Sequence, residues 1–77
     1  MITYEEALAI AKERKPNIDG CDEWDGGWVF GYSGDVDYQG GYGHTPVIII
    51  KETGEIVNMM QFIMSGEAGD LRNSFKI

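Results

Sequence analysis

PVIIIKETGEIVNMMQFI, residues 46–63, carries more fold information than any other segment of the chain. Val47, Ile48, Ile49 and Ile50 are β-branched and apolar, Ile56–Ile63 is nearly so, and the polar run Lys51-Glu52-Thr53-Gly54-Glu55 separates them. That pattern predicts a β-hairpin. A type I turn through Glu52 and Thr53 needs the next residue in the left-handed region, which Gly54 enters without a Cβ penalty. Pro46 has no N–H for a ladder and is tolerated at a strand's first position, so pairing is expected from Val47.

Upstream, Thr3 suits a helix N-cap, Glu6 three residues on completes a capping box, and Ile2 is placed to staple against Ala7. Tyr4, Ala7, Leu8 and Ala11 share one helical face with Ile10 beside it, while Glu5, Lys12 and Glu13 point away. Lys12, Arg14 and Lys15 complement the C-terminal end of the dipole, and Pro16 disfavours helical geometry at Lys15. A helix over Tyr4–Lys15 follows.

Between helix and hairpin, Cys21–Trp24 reads as a short strand, joined through Asp25-Gly26-Gly27 to a better one at Trp28–Tyr32. In the latter Trp28, Phe30 and Tyr32 alternate with Val29, Gly31 and Ser33, which gives one aromatic face to meet the helix. Trp24, set among acids and glycines, is expected at the sheet's rim. Residues 33–45, SGDVDYQGGYGHT, form a glycine-rich connection carrying Tyr38 and Tyr42. A stretch of that length is either a binding loop, with tyrosines as contact area on an adaptable backbone, or a poorly ordered linker.

After the hairpin, Gly66, Gly69 and Asn73 predict a turn, or one loose helical turn around Asp70-Leu71-Arg72. Residues 1–77 are therefore expected to form a single α+β domain: one N-terminal helix packed on an antiparallel meander of three or four strands. Val47–Ile50 is apolar on both faces, and a strand through residues 56–63 would alternate Ile56, Met60 and Phe62 with Val57, Met59 and Ile63. One short helix covers one face. The other needs the C-terminal segment through Leu71, Phe75 and Ile77, a second copy of the chain, or a partner, and a homodimer is the simplest of these.

Thirteen Asp and Glu against six Lys and Arg give a net charge of −7, which disfavours a nucleic-acid ligand because backbone binding depends on clustered cations. Residues 16–50 contain Asp19, Asp22, Glu23, Asp25, Asp35 and Asp37 and no Lys or Arg. This belt is read either as solvated charge or as a surface that attracts a basic protein partner. No apolar run reaches the roughly 18 residues of a membrane span, so no membrane association is expected. The first fifteen residues carry acids where a signal peptide has a basic region, and Cys21 is the single cysteine, so a reducing, cytoplasmic setting is expected.

No catalytic site assembles from the motifs. Cys21, His44 and an aspartate are the nominal members of a thiol triad, but neither Cys21 nor His44 lies in a nucleophile context. One cysteine and one histidine do not make a zinc site without carboxylate help, and Asp35-Val36-Asp37 lacks the remaining ligands of a calcium loop. Gly41-Tyr42-Gly43 precedes a strand and not a helix, so it does not signal a nucleotide. Neither a cofactor nor a metal is expected.

Glu5-Glu6-Ala7-Leu8 in a capped helix, then Trp28-Val29-Phe30 with Tyr32, then Gly43 and Pro46, then Lys51-Glu52-Thr53-Gly54-Glu55-Ile56, together resemble the YrhB-like domain, otherwise immunity protein family thirty-five, over about residues 3–57. That resemblance implies a small bacterial α+β protein that neutralises a toxin by binding, without catalysis. The helix followed by strands ending in Lys51, Thr53, Gly54, Glu55 and Ile56 is also similar to the PepSY domain, an inhibitory or regulatory module. Under the first reading the contacts expected for a protein partner are Trp24, Asp35, Asp37, Tyr38 and Tyr42. A thiol enzyme built on Cys21 and a homo-oligomeric assembly subunit are the rivals.

Overall fold

In the computed structural model, which describes residues 1–32 and 46–77, the first helix (α1) spans Tyr4–Arg14. Its start is the capping box read from the sequence: the Thr3 side chain accepts from the Glu6 N–H at 3.2 Å, and Glu6 Oε1 accepts from the Thr3 N–H at 3.1 Å. It ends at Lys15, whose N–H donates to the Ala11 carbonyl at 2.8 Å immediately before Pro16. The described strands are β1 (Gly20–Trp24), β2 (Gly27–Gly31), β3 (Val47–Ile50), β4 (Ile56–Val57) and β5 (Leu71–Lys76), with a second helix, α2 (Met59–Met64), between β4 and β5. They form one antiparallel sheet in the order β4-β3-β2-β1-β5. The fold is α+β, with five strands where three or four were expected.

Pro46 stands immediately before β3, which begins at Val47. Gly54 takes the left-handed conformation, φ +79°, and its N–H donates to the Ile50 carbonyl at 2.8 Å while the Ile50 N–H donates to Glu55. The hairpin turn is thus where the sequence placed it, but its second strand is short. Asn58 stops it: the Asn58 side chain accepts from the Gln61 N–H at 2.7 Å and starts α2, so Met59–Ile63 are helical and not extended. The expected alternation of that segment across two sheet faces does not exist.

The C-terminal segment departs from expectation in the other direction. Leu71–Lys76 is neither a turn nor a helical turn but an edge strand paired with β1, from Gly20↔Lys76 to Trp24↔Leu71. Asp25 fixes its start. Its carboxylate accepts from the Asp70 N–H at 2.9 Å and pairs with the Arg72 guanidinium. The chain from α2 reaches β5 by passing so close to the β1–β2 turn that a Cβ on Gly26 would lie 1.7 Å from the Glu67 carbonyl oxygen, which restricts position 26 to glycine.

Two apolar layers result. On the α1 face Ala7, Ala11, Ile18, Cys21, Trp28, Phe30, Val47 and Ile49 are buried, with Tyr4, Leu8 and Phe75 packed at the margin. Trp28 and Phe30 meet the helix as their alternation predicted, whereas Tyr32, the third aromatic of that expected face, lies past the end of β2 and is 37% exposed. On the opposite face Val29, Ile48 and Ile50 are covered by Phe62 of α2 and by Ala68. The tail residues expected there do not supply that cover: Phe75 belongs to the α1 face, and Leu71 and Ile77 remain substantially exposed. Among the described residues no helix is long and apolar enough to cross a membrane.

Candidate binding surface

α2 is six residues long, and Phe62 is the one it buries, at 1% exposure. Met59, Met60, Ile63 and Met64 are 41%, 74%, 50% and 80% exposed. At about 100° per residue these four occupy one continuous arc of the helix, roughly 140° wide, on the side turned away from Phe62. The helix is amphipathic with its larger apolar face outward. Sequence reasoning missed this surface because it dealt the same side chains alternately to two faces of a strand. The available signal was Asn58 followed three residues later by Gln61, an N-cap pattern ahead of two methionines, which are good helix formers.

The flanks of this ridge differ in charge. Beside Gln61 and Ser65 lies a small hollow of about 160 Å³, floored by Ile50, Val57 and Phe62 and rimmed by Glu52, Glu55 and Glu67. Beside Met59 and Ile56 lies another, about 460 Å³, whose cations are Arg14 and Lys15. A third concavity, about 830 Å³, opens from Met59 across the sheet over Val29 and Gly31 to Phe75 and Ile77, with Tyr32 and Pro46 at its edge.

Of the residues expected to touch a partner, Trp24 is the one that the structure describes. Trp24 ends β1 half-buried, its ring edge-on to Phe62 at 6.2 Å, and its buried indole N–H has no hydrogen-bond partner among the described residues. It supports α2 from beneath. Asp35, Asp37, Tyr38 and Tyr42, with His44, lie outside the described residues; Tyr32 and Pro46, the described positions on either side of that segment, both line the 830 Å³ concavity.

The acidic belt is partly consumed by folding. Glu23 pairs with Lys51 at 2.8 Å, and that ammonium also sits 5.3 Å from the Trp28 ring centre on the α1 face. Asp25 pairs with Arg72; hydrogen bonds from that guanidinium and from the Asp70 N–H hold its carboxyl below the usual carboxylate range. The acids that rim the ridge, Glu52, Glu55 and Glu67, come instead from the hairpin turn and from the segment after α2.

Cys21 is buried in the α1 core, where desolvation, followed by the charges of Asp22 and Glu23, pushes its thiol up to about 12. A thiol so placed is protonated at neutral pH. Among the described residues no three His, Cys, Asp or Glu side chains gather to hold a metal ion. No family model, no curated protein and no solved structure matches this chain.

Proposed function

We propose that this chain is a small non-catalytic binding protein, an immunity-type inhibitor that occupies a bacterial toxin or enzyme in the cytoplasm, as the YrhB-like resemblance implies. The observation that carries the reading is α2, which buries one side chain and presents Met59, Met60, Ile63 and Met64 to solvent. Exposed apolar surface of that kind is favourable only when a partner removes it from water, and methionines adapt to a partner's contours. The protonated, buried Cys21 weighs against the thiol-enzyme alternative. A homo-oligomeric role keeps one supporting observation, the six-residue edge strand β5, whose outer side no described strand pairs.

The test is co-expression of the chain with the product of the gene encoded beside its own, scored by growth and by the mass of the purified complex. Restored growth together with a complex of the two chains supports inhibition by binding. A chain that sediments only with itself and leaves growth unchanged overturns it in favour of self-assembly, and rapid alkylation of Cys21 at neutral pH overturns it in favour of thiol chemistry.

A further inference from the structure

We infer that the outer face of α2 receives an amphipathic helix of the partner protein, with an apolar stripe bordered along one margin by Lys or Arg. The inference rests on the binding reading above and assigns that reading its surface. The arc Met59–Ile63–Met60–Met64 is an apolar ridge of nearly two turns, the shape that packs between the side-chain rows of another helix. On the Gln61 side the ridge drops into the hollow rimmed by Glu52, Glu55 and Glu67, none of which has a cation among the residues lining that hollow. Its floor of Ile50, Val57 and Phe62 suits the aliphatic stem of a long basic side chain, and its carboxylates suit the head. On the Met59 side the lining charges are Arg14, which is exposed, and Lys15, buried at 5% exposure, so Arg14 is the cation presented there. This sign change across the ridge fixes which margin of the partner helix is basic.

Charge also selects the occupant. A second copy would bring another net −7 to a rim that is already anionic, whereas a basic helix is attracted to it and oriented by it. Strand addition has little to pair with at this place, because the neighbouring edge strand β4 is two residues long.

The probe is a synthetic Leu/Lys peptide of about 18 residues, five helical turns, written with a 3.6-residue apolar period. Its comparison is an isomer of the same composition with that period scrambled. Both are titrated into the full chain by calorimetry, with contacts mapped by amide shifts. The amphipathic peptide is expected to bind about tenfold or more tightly than its isomer, with shifts centred on α2. Met60→Gln/Met64→Gln is expected to weaken it by about tenfold, and Glu55→Gln/Glu67→Gln by several-fold, while Glu5→Gln/Glu13→Gln, an equal charge change on α1, leaves it unaltered; a tenfold change is about 1.4 kcal/mol. Equal binding of the two peptides, equal losses from the α1 and hollow-rim charge variants, or shifts centred on β5 would overturn the assignment. Unchanged thermal midpoints confirm that the variants fold. Growth rescue that survives Met60→Gln/Met64→Gln would sink this surface while leaving inhibition by binding intact, so the two failures are distinguishable.

Discussion

The two faces of the sheet are covered by helices of opposite design. α1 has eleven residues, a complete capping box, and two fully buried alanines that let its backbone approach the sheet. The Tyr4 ring at its first turn lies 6.2, 6.1 and 5.5 Å from the rings of Trp28, Phe30 and Phe75, joining the helix to β2 and to the edge strand β5. α2 has six residues, a single cap and a single buried anchor, Phe62. Isolated helices this short are marginal in water, so α2 exists because Phe62 is seated and Asn58 caps it. One face spends its apolar side chains on stability. The other holds just enough to keep a ridge in place and leaves the remainder exposed.

The sharpest way to break this contrast is to remove one anchor from each face. Phe30→Ala empties a fully buried site beneath α1 and is expected to cost about 3–5 kcal/mol, a large part of the stability of so small a chain, as read from urea unfolding. Phe62→Ala is expected to release α2 first: its amides should lose exchange protection while those of β1, β2 and β3 keep theirs. If both variants open the whole sheet together, the faces are one cooperative unit and the contrast is wrong. Next in size is Gly54→Val. A β-branched residue at φ +79° is strained, and a Cβ there meets the Ile2 side chain at 3.3 Å, so more than about 1 kcal/mol should be lost from the denaturation midpoint.

The cap variants sharpen the comparison. Thr3→Ala and Asn58→Ala each remove a side-chain acceptor from a helix start and each should cost about 1 kcal/mol of helix stability. The first should appear in global unfolding; the second should appear as faster exchange confined to α2. Titration adds a further discrimination. Asp25 has its pKa lowered by Arg72 and by the Asp70 N–H, so the folded state gains from the ionised form above the unfolded pKa and loses that gain as pH falls through the folded one. Asp25→Asn should therefore lower the thermal midpoint at neutral pH and converge with the parent in acid. Cys21 has the opposite sign. Its raised pKa means stability falls as pH climbs above the ordinary thiol value towards about 12, and Cys21→Ala should flatten that alkaline slope.

The same division explains what could be read in the chain before its structure. α1, the aromatic alternation of Trp28 and Phe30, the start of β3 after Pro46 and the turn at Gly54 rest on signals within a few residues of one another. α2 and β5 do not. Ile56–Ile63 is apolar enough to pass for a strand; the Gln61 N–H donating to the Asn58 side chain starts the helix, and the packing of Phe62 on Val29, Ile48 and Ile50, distant in sequence, holds it. Leu71–Lys76 is mostly polar with a single partly buried aromatic, so nothing in its pattern asks for a strand; it is one because β1 offers an open edge and Asp25 fastens its first residues. Gly66 and Gly69 do turn the chain, at φ +77° and +67°, but they lead into the sheet and do not end the fold. The ridge was illegible because its residues were assigned to a strand, and because its acidic margin comes from segments far apart in sequence.

The smallest expected effect is the most informative. Met60 and Met64 are 74% and 80% exposed, are members of neither core cluster and belong to the outward arc of α2, so Met60→Gln/Met64→Gln should change the unfolding free energy by no more than about 0.5 kcal/mol. Glutamine propagates a helix about as well as methionine, and it keeps the length of the side chain while removing its apolar surface. A stabilising change would also fit the contrast, because it would show that the parent tolerates exposed methionines at a cost to its own fold. The outcome that breaks it is a clear loss, on the order of 2 kcal/mol or more, since that would mean the methionines already pack against something within the chain and the ridge is not free. Urea unfolding of parent and variant, with α2 exchange followed in parallel, decides between a surface held open for a partner and a second core.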